Sequence, residues 1–244
     1  MISVALISFN EETNIGHTLA SLEGVADEII VVDSFSTDNT VKIAESYGAK
    51  VFQEEWKGFG RQKNSALEKC SGDWVLSLDC DEVLTDEVKK SILEAAECDK
   101  YNGYRLKRRT FYMGKLLKYM WQPDMPMRFV RKGAAAWDNA EVHETLSVQG
   151  KTAVLDGYAL HYSYKDFDDH MRRIQKYAAI ASDRYLKKGR NVGIFTFLLG
   201  PLFTFFKFLI LKRAILDGIP GVIAAMNSAI SSYIKYAYLW EKKN

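Results

Sequence analysis

The chain has 244 residues, 33 basic and 31 acidic side chains for a net charge of +2, and 48% hydrophobic residues. That is enough for one substantial core, as one domain or a domain with an appendage. The balanced charge excludes the broad basic field that draws a protein onto nucleic acid, so no nucleic-acid partner is expected. Cys70, Cys80 and Cys98 form an odd set with no CxxC spacing. This argues against a disulfide framework or zinc site and points to a reducing, cytoplasmic compartment.

The first apolar run, Ile2 to Phe9, lacks a basic leader and a small-residue cleavage site and ends in Asn10-Glu11-Glu12. It reads as a strand from Ser3, not as a signal peptide. Ile15, Leu19 and Leu22 then share a helical face before Gly24, and Glu28 to Val32 is the second strand. A helix opening at Ser36 or Thr37 buries Val41, Ile43, Ala44 and Tyr47 and stops at Gly48. A short strand, Lys50 to Gln53, and a helix from Gly60 to Cys70 lead to Asp73–Leu78, whose apolar run suits a central parallel strand. The order β-α-β-α-β-α-β predicts an α/β fold with a mostly parallel sheet and helices on both faces.

After a helix from Asp86 to Ala96 the rhythm changes. Gly103 to Arg109 alternates like a strand, and Phe111 to Phe129 is aromatic and marked by proline. Ala153 to Leu160 reads as a strand with a bulge or turn at Asp156-Gly157. From Asp166 the chain turns helical, with an apolar stretch from Val192 to Ile210 and a last helix from Val222 to Leu239.

Ligands of open α/β sheets bind beyond the carboxyl ends of the strands. Those ends here carry Asn10-Glu11-Glu12, Asp33-Ser34 and Asp79-Cys80-Asp81. Two carboxylates one residue apart can divide two tasks, one accepting from ribose hydroxyls and one holding a hard divalent cation that grips a diphosphate. Neither a Walker A sequence nor GxGxxG follows the first strand, which removes the main support for a kinase or a dinucleotide dehydrogenase.

Ser8-Phe-Asn-Glu-Glu12, Val31-Val-Asp-Ser-Phe-Ser-Thr-Asp38, Gly60-Arg-Gln-Lys-Asn64 and Leu78-Asp-Cys-Asp-Glu82 resemble, in order and spacing, the motifs of glycosyltransferase family 2. Trp121-Gln-Pro-Asp124, Val142-His-Glu144, Leu160-His-Tyr-Ser-Tyr164 and Asp217-Gly-Ile-Pro-Gly221 look like its bacterial lipopolysaccharide core β-glucosyltransferase branch. The resemblance implies a Rossmann-like GT-A fold and a UDP-sugar donor, with manganese or magnesium as cofactor. It also implies transfer of a hexose, glucose in that branch, to a glycolipid or oligosaccharide acceptor. It places Ser8, Asn10, Glu12, Asp33, Ser34, Lys63, Asp79, Cys80 and Asp81 around the nucleotide-sugar, with Asp81, Asp79 and the late His161 at the metal. A core histidine bonded to backbone is the other reading of His161.

Inversion at the anomeric carbon needs a base for the acceptor hydroxyl. Glu144 is the first candidate, with Glu141 and Asp124 behind it, and His143 either meets the acceptor or orients a phosphate. Arg105, Lys107, Arg108, Arg109, Arg128 and Arg131 suit an anionic acceptor or a solvated strand face. Phe111, Tyr112, Tyr119 and Trp121 suit a sugar-stacking wall or a core.

These expectations divide the chain into a catalytic domain, 1–165, and a helical region, 166–244. Residues 1–100 form the nucleotide-sugar half of that domain and 101–165 the acceptor half. In the apolar stretch Gly200-Pro201 and Lys207 argue against a simple membrane span, and flanking lysines and arginines favour peripheral contact through 192–213 with the inner face of the cytoplasmic membrane. The alternative is a cover for the catalytic domain or a homo-oligomer interface. Rival functions are a protein or polyprenyl-phosphate glycosyltransferase and a catalytically silent nucleotide-sugar-binding scaffold.

Overall fold

The computed structural model describes residues 1–138 and 144–243. The chain forms two compact units, Met1–Arg109 with Asp124–Tyr162, and Thr110–Pro123 with Ser163–Asn244. Their elements in chain order are β1 (Ile2–Ser8), α1 (Ile15–Ala20), β2 (Glu28–Asp33), α2 (Thr40–Ser46), β3 (Lys50–Gln53), α3 (Phe59–Lys69), β4 (Trp74–Ser77), β5 (Glu82–Leu84) and α4 (Asp86–Ala96). There follow β6 (Gly103–Arg105), β7 (Arg108–Tyr112), β8 (Lys115–Leu116), β9 (Met127–Arg131), β10 (Ala135–Trp137), β11 (Leu146–Val148), β12 (Thr152–Val154) and β13 (Ala159–His161). Three long helices close the chain: α5 (Phe167–Lys187), α6 (Ile194–Phe206) and α7 (Ile219–Glu241).

In the first unit a seven-stranded sheet runs β12-β6-β9-β4-β1-β2-β3. Strands β4, β1, β2 and β3 are mutually parallel, β9 runs antiparallel to β4 and β6, and β12 is parallel to β6. Strand alternation makes two cores from one sheet. Val4, Leu6, Val31, Trp74 and Leu76 join Ile15, Leu19, Val88 and Ile92 from α1 and α4. On the other face Ala5, Ile30, Val32 and Val75 meet Ala66 and Leu67 of α3.

Three local expectations are corrected. Helix α2 begins at Thr40, because the polar groups before it are held in a turn: Ser36 bonds Asp33, and Thr40 donates both its N–H and its hydroxyl to Asp38. Tyr47 is exposed rather than buried. The alternating run 103–109 divides into β6 and β7, and 153–160 divides into β12 and β13. The chain leaves the large sheet at both places together, tied by Leu155 N–H to Arg105 O and Ala159 N–H to Lys107 O, each 2.9 Å. Strand β13 then pairs antiparallel with β5. Gly157 makes this turn possible: its φ is +77°, and a Cβ there would lie 2.6 Å from the Val88 nitrogen.

In the second unit, Tyr112, Leu117, Met120, Ala214, Ala224 and Ala225 form the buried centre. Asp217, 1% exposed, accepts from the backbone N–H groups of Lys118, Tyr119 and Met120 at 2.8, 3.0 and 2.8 Å. Gly221 is required where the start of α7 crosses Ala214, whose carbonyl oxygen would stand 2.0 Å from an added Cβ. Thr110–Pro123 packs with this helical unit. Tyr112, expected either in a sugar wall or in a core, lies in the core, with its hydroxyl 2.8 Å from His170 Nδ1.

Candidate active site

The carboxyl ends of β1, β2 and β4 deliver the expected polar residues to one edge of the sheet, with three different environments. At the end of β2, Asp33 is fully buried; Ser8 and Ser36 hydroxyls donate to its Oδ1 at 2.8 and 2.5 Å, and the Ser36 N–H donates to its Oδ2 at 2.8 Å. Expected to face the nucleotide, this carboxylate braces the two strand ends. Asn10 and Glu12 are exposed beside it, accepting from Thr37 N–H at 2.9 Å and from Asn39 N–H at 3.0 Å. Ser34 is half-buried, 3.4 Å from Gln62 Nε2.

Beyond β4 lies a dense ionic cluster. Lys63 from α3 is only 6% exposed, with Nζ 2.9 Å from Asp79 Oδ1, 2.7 Å from Glu144 Oε1 and 4.6 Å above the Trp137 ring. Arg128 from β9 bonds Asp79 Oδ2 and lies 2.9 Å from Glu82 Oε1. Arg108 reaches the same Glu82 oxygen at 2.6 Å and grips Asp124 with two bonds of 3.0 Å. Burial pushes the Asp79 carboxyl up, but the charges of Arg128, Lys63 and Arg108 hold it well below the usual carboxylate range. Burial likewise lowers Arg128, and the carboxylates of Asp79 and Glu82 more than reverse this. Such mutual pairing is what allows several charges to be withdrawn from water together.

Asp81 stands apart from that cluster. Its Oδ1 is buried and, among the described residues, has no hydrogen-bond partner, while its Oδ2 lies 3.5 Å from His161 Nε2. The β5–β13 pairing sets His161 opposite Glu82, and Tyr162 N–H donates to Asp81 O at 2.9 Å, which fixes the approach of the two chains. Burial lowers the His161 pKa, but the hydrogen bond and charge of Asp81, with Glu82, raise it overall. Among the described residues no three His, Cys, Asp or Glu side chains form a ready-made metal cage. An orphaned carboxylate oxygen beside an imidazole nevertheless fits a divalent ion that draws its remaining ligands from a bound diphosphate. Asp79, expected to share the metal, has both oxygens engaged by cations. Cys80 turns inward, its Sγ 3.3 Å from Ile7 O, and burial followed by the nearby carboxylates raises its thiol pKa.

The expected acceptor residues scatter. Arg128 is 3% exposed and committed to the ionic cluster, so it is not available at a surface for an anionic acceptor. Arg105 is exposed and bonds Met125 O at 3.2 Å. Arg131 pairs with Asp99 and lies over Trp74, and Arg109 lies over Tyr158. Trp121, in the helical unit, meets Tyr112 edge-on with centroids 5.7 Å apart. Asp124 is tied to Arg108 and is therefore poorly placed as a spare base. Glu141 and His143 lie outside the described residues. Sequence reasoning missed Glu82, which is fully buried and joins Arg108 to Arg128. Its signal was its place directly after Asp81.

A parallel Rossmann-like core with carboxylates at its strand ends, continued by antiparallel strands, is the frame of a GT-A glycosyltransferase. The sequence model of glycosyl transferase family 2 matches residues 3–155, and the chain belongs to that family. It is 30% identical to an uncharacterized glycosyltransferase of Rickettsia typhi, over 98% of this chain and 87% of the relative. It is 28% identical to LpsC of Rhizobium meliloti, a lipopolysaccharide core biosynthesis glycosyltransferase, over 99% of this chain and 92% of the relative. The crystal structure of TarS from S. aureus is similar at 21% identity and a TM-score of 0.49; the match covers 74% of this chain and 39% of that one.

Proposed function

We propose that the chain is an inverting, metal-dependent hexosyltransferase that moves glucose from UDP-glucose to a lipopolysaccharide core or related surface-glycan acceptor. The similarity to LpsC supports the acceptor class. The observation that carries the chemistry is the Lys63 bridge, which places the Glu144 carboxylate beside the Asp79 end of β4 through contacts of 2.7 and 2.9 Å.

In this reading Asn10 and Glu12, with Ser8, Asp33 and Ser34 shaping the strand ends behind them, receive the uracil and ribose, and Asp79, held by Lys63, Arg108 and Arg128, borders the ribose. Asp81 and His161 would hold the divalent ion, which when bound supplies positive charge to the departing diphosphate. Glu144 accepts the proton of the acceptor hydroxyl as that oxygen forms its bond to the anomeric carbon. The bond from the anomeric carbon to the UDP oxygen breaks in the same displacement, and its electron pair leaves with UDP. Lys63 holds the base at the donor end of the sheet. The first unit would carry the donor chemistry, and its exposed Arg105 would meet the acceptor, on the inner face of the cytoplasmic membrane where nucleotide-sugars are available.

The deciding experiment is turnover of UDP-glucose with manganese by the wild type and by Glu144→Gln, with UDP affinity measured in parallel. Unchanged affinity with transfer lost supports the assignment. Full turnover in the variant moves the base elsewhere, and no turnover of any UDP-sugar by the wild type removes the donor reading.

A further inference from the structure

Helix α6 continues without a break into a π-helical turn, Lys207–Leu211; Lys212 and Arg213, the latter at φ +55°, separate it from a 3-10 turn, Ala214–Asp217. The stretch Ile194–Leu211 is long and apolar enough to cross a membrane, with 18 residues of mean hydropathy 2.1. Its two sides differ. Phe197 packs edge-on against Tyr233 of α7 with centroids 5.3 Å apart, and Phe205, Phe208 and Leu209 join the buried centre of the helical unit. Gly200 lets Tyr236 approach so closely that a Cβ would meet its ring at 2.6 Å. The other side is an exposed, mainly apolar stripe with Lys207 along it, in which Phe195 is 76%, Phe203 64% and Leu211 72% exposed. Ile215, Leu216 and Ile219 extend it past the helix end.

The charge pattern around the stripe is one-sided. No Asp or Glu occurs between Asp183 and Asp217, whereas Lys187, Lys188, Arg190, Lys207, Lys212 and Arg213 all lie there and are all exposed. A protein–protein interface would gain from charges of both signs around its apolar centre. A purely basic fringe around an apolar stripe matches an anionic lipid leaflet instead.

We propose that α6 and the turns after it form an in-plane membrane-docking element for an anionic phospholipid surface, and that they do not span the bilayer. A spanning helix needs lipid or apolar protein all round. Here α6 is attached along its inner side to α7, and α7 is in turn attached to α5, where Lys235 lies 4.7 Å from the Tyr185 ring. Helix α5 carries Asp168, Asp169, Arg172, Arg173, Lys176 and Asp183, which cannot follow α6 into hydrocarbon. Only the outer stripe can be immersed, with the amines at the head groups. The proposal does not rest on the transfer reaction, since lipid binding needs neither donor nor acceptor.

Flotation of the purified full-length protein with vesicles tests it. Vesicles containing phosphatidylglycerol should carry the protein, and phosphatidylcholine vesicles should carry far less. Lys207→Gln with Lys212→Gln and Arg213→Gln should lower partitioning by roughly a hundredfold. Phe195→Ser with Phe203→Ser should abolish it while leaving the thermal transition and UDP affinity unchanged, because both rings are exposed. Equal binding to neutral vesicles, or undiminished binding in the serine variant, overturns the proposal. So does sedimentation as a dimer that the serine variant dissociates, with no vesicle binding, which would assign the stripe to a second copy. Nitroxides placed through Phe195→Cys, Phe203→Cys and Ile210→Cys in a Cys98→Ser background should report one shallow depth; depth rising and falling along the helix would mean a span and overturn it.

Discussion

The Lys63 ammonium lies 2.7 Å from the Glu144 carboxylate, joining α3 to the chain that follows β10, and both side chains are largely shielded from water. The same ammonium touches Asp79 at 2.9 Å. One cation thus organises the proposed base and a strand-end carboxylate that are far apart in sequence. Lys63→Met should therefore reduce transfer on the order of a hundredfold or more, the range lost when a base is misplaced. It should act mainly on kcat. A variant with wild-type kcat and raised KM would show that Lys63 only binds donor.

Asp81→Ala should abolish the metal-dependent part of UDP affinity in calorimetry with manganese. Among the described residues Asp81 Oδ1 is buried without a hydrogen-bond partner, and Oδ2 has only the 3.5 Å contact with His161, so this substitution should change the thermal transition little. Retained manganese-dependent affinity removes Asp81 from the metal site. A lowered transition would show that the carboxylate serves the fold.

Arg128→Met is expected to behave in the opposite way. Arg128 is 3% exposed, and its loss would leave Glu82, which is fully buried, with Arg108 as its remaining cation in the cluster. Breaking a buried pair from one side typically costs about 3–5 kcal/mol. Urea unfolding should show a midpoint shift of that size; a shift below ~1 kcal/mol would mean that water reaches the cluster.

Stability should fall in mildly acidic buffer because of His170. Burial pushes its imidazole from 6.5 down to about 4, although neighbouring Asp169 works against the shift. Between those values the unfolded chain binds the proton and the folded chain does not. The contribution is thus complete above pH 6.5 and is lost as pH falls towards 4. Denaturant melts across this window should show the slope in the wild type and a weaker slope in His170→Gln.

Asp217→Ala should destabilise the helical unit by about 3 kcal/mol, since it strips the shared acceptor from the backbone amides of Lys118, Tyr119 and Met120. Asp217→Asn, which keeps one acceptor oxygen, should recover part of the loss. Equal midpoints for the two variants would locate the effect elsewhere.

Much of the fold was legible because it follows from local periodicity. Apolar residues in Ile2–Ser8 and Trp74–Ser77 read as strands, and the polar residues just beyond them fall at the sheet edge wherever neighbouring strands are parallel. The breaks at Leu106 and Leu155 were not legible, because each residue continues an apolar pattern locally. They follow from the chain pairing first with one sheet and then with another.

The sequence by itself determined the α/β rhythm, the family motifs and the candidate carboxylates, since spacing and residue type are properties of the chain. Only the tertiary structure decided which carboxylates stay available. Asp33 is consumed by two serines, Asp79 by three cations and Asp124 by Arg108, while among the described residues Asp81 keeps an oxygen free of hydrogen bonds. The physical reason is that a buried charge must find a partner, and those partners come from α3, β7 and β9, whose distances from β4 are set by packing rather than by spacing along the chain.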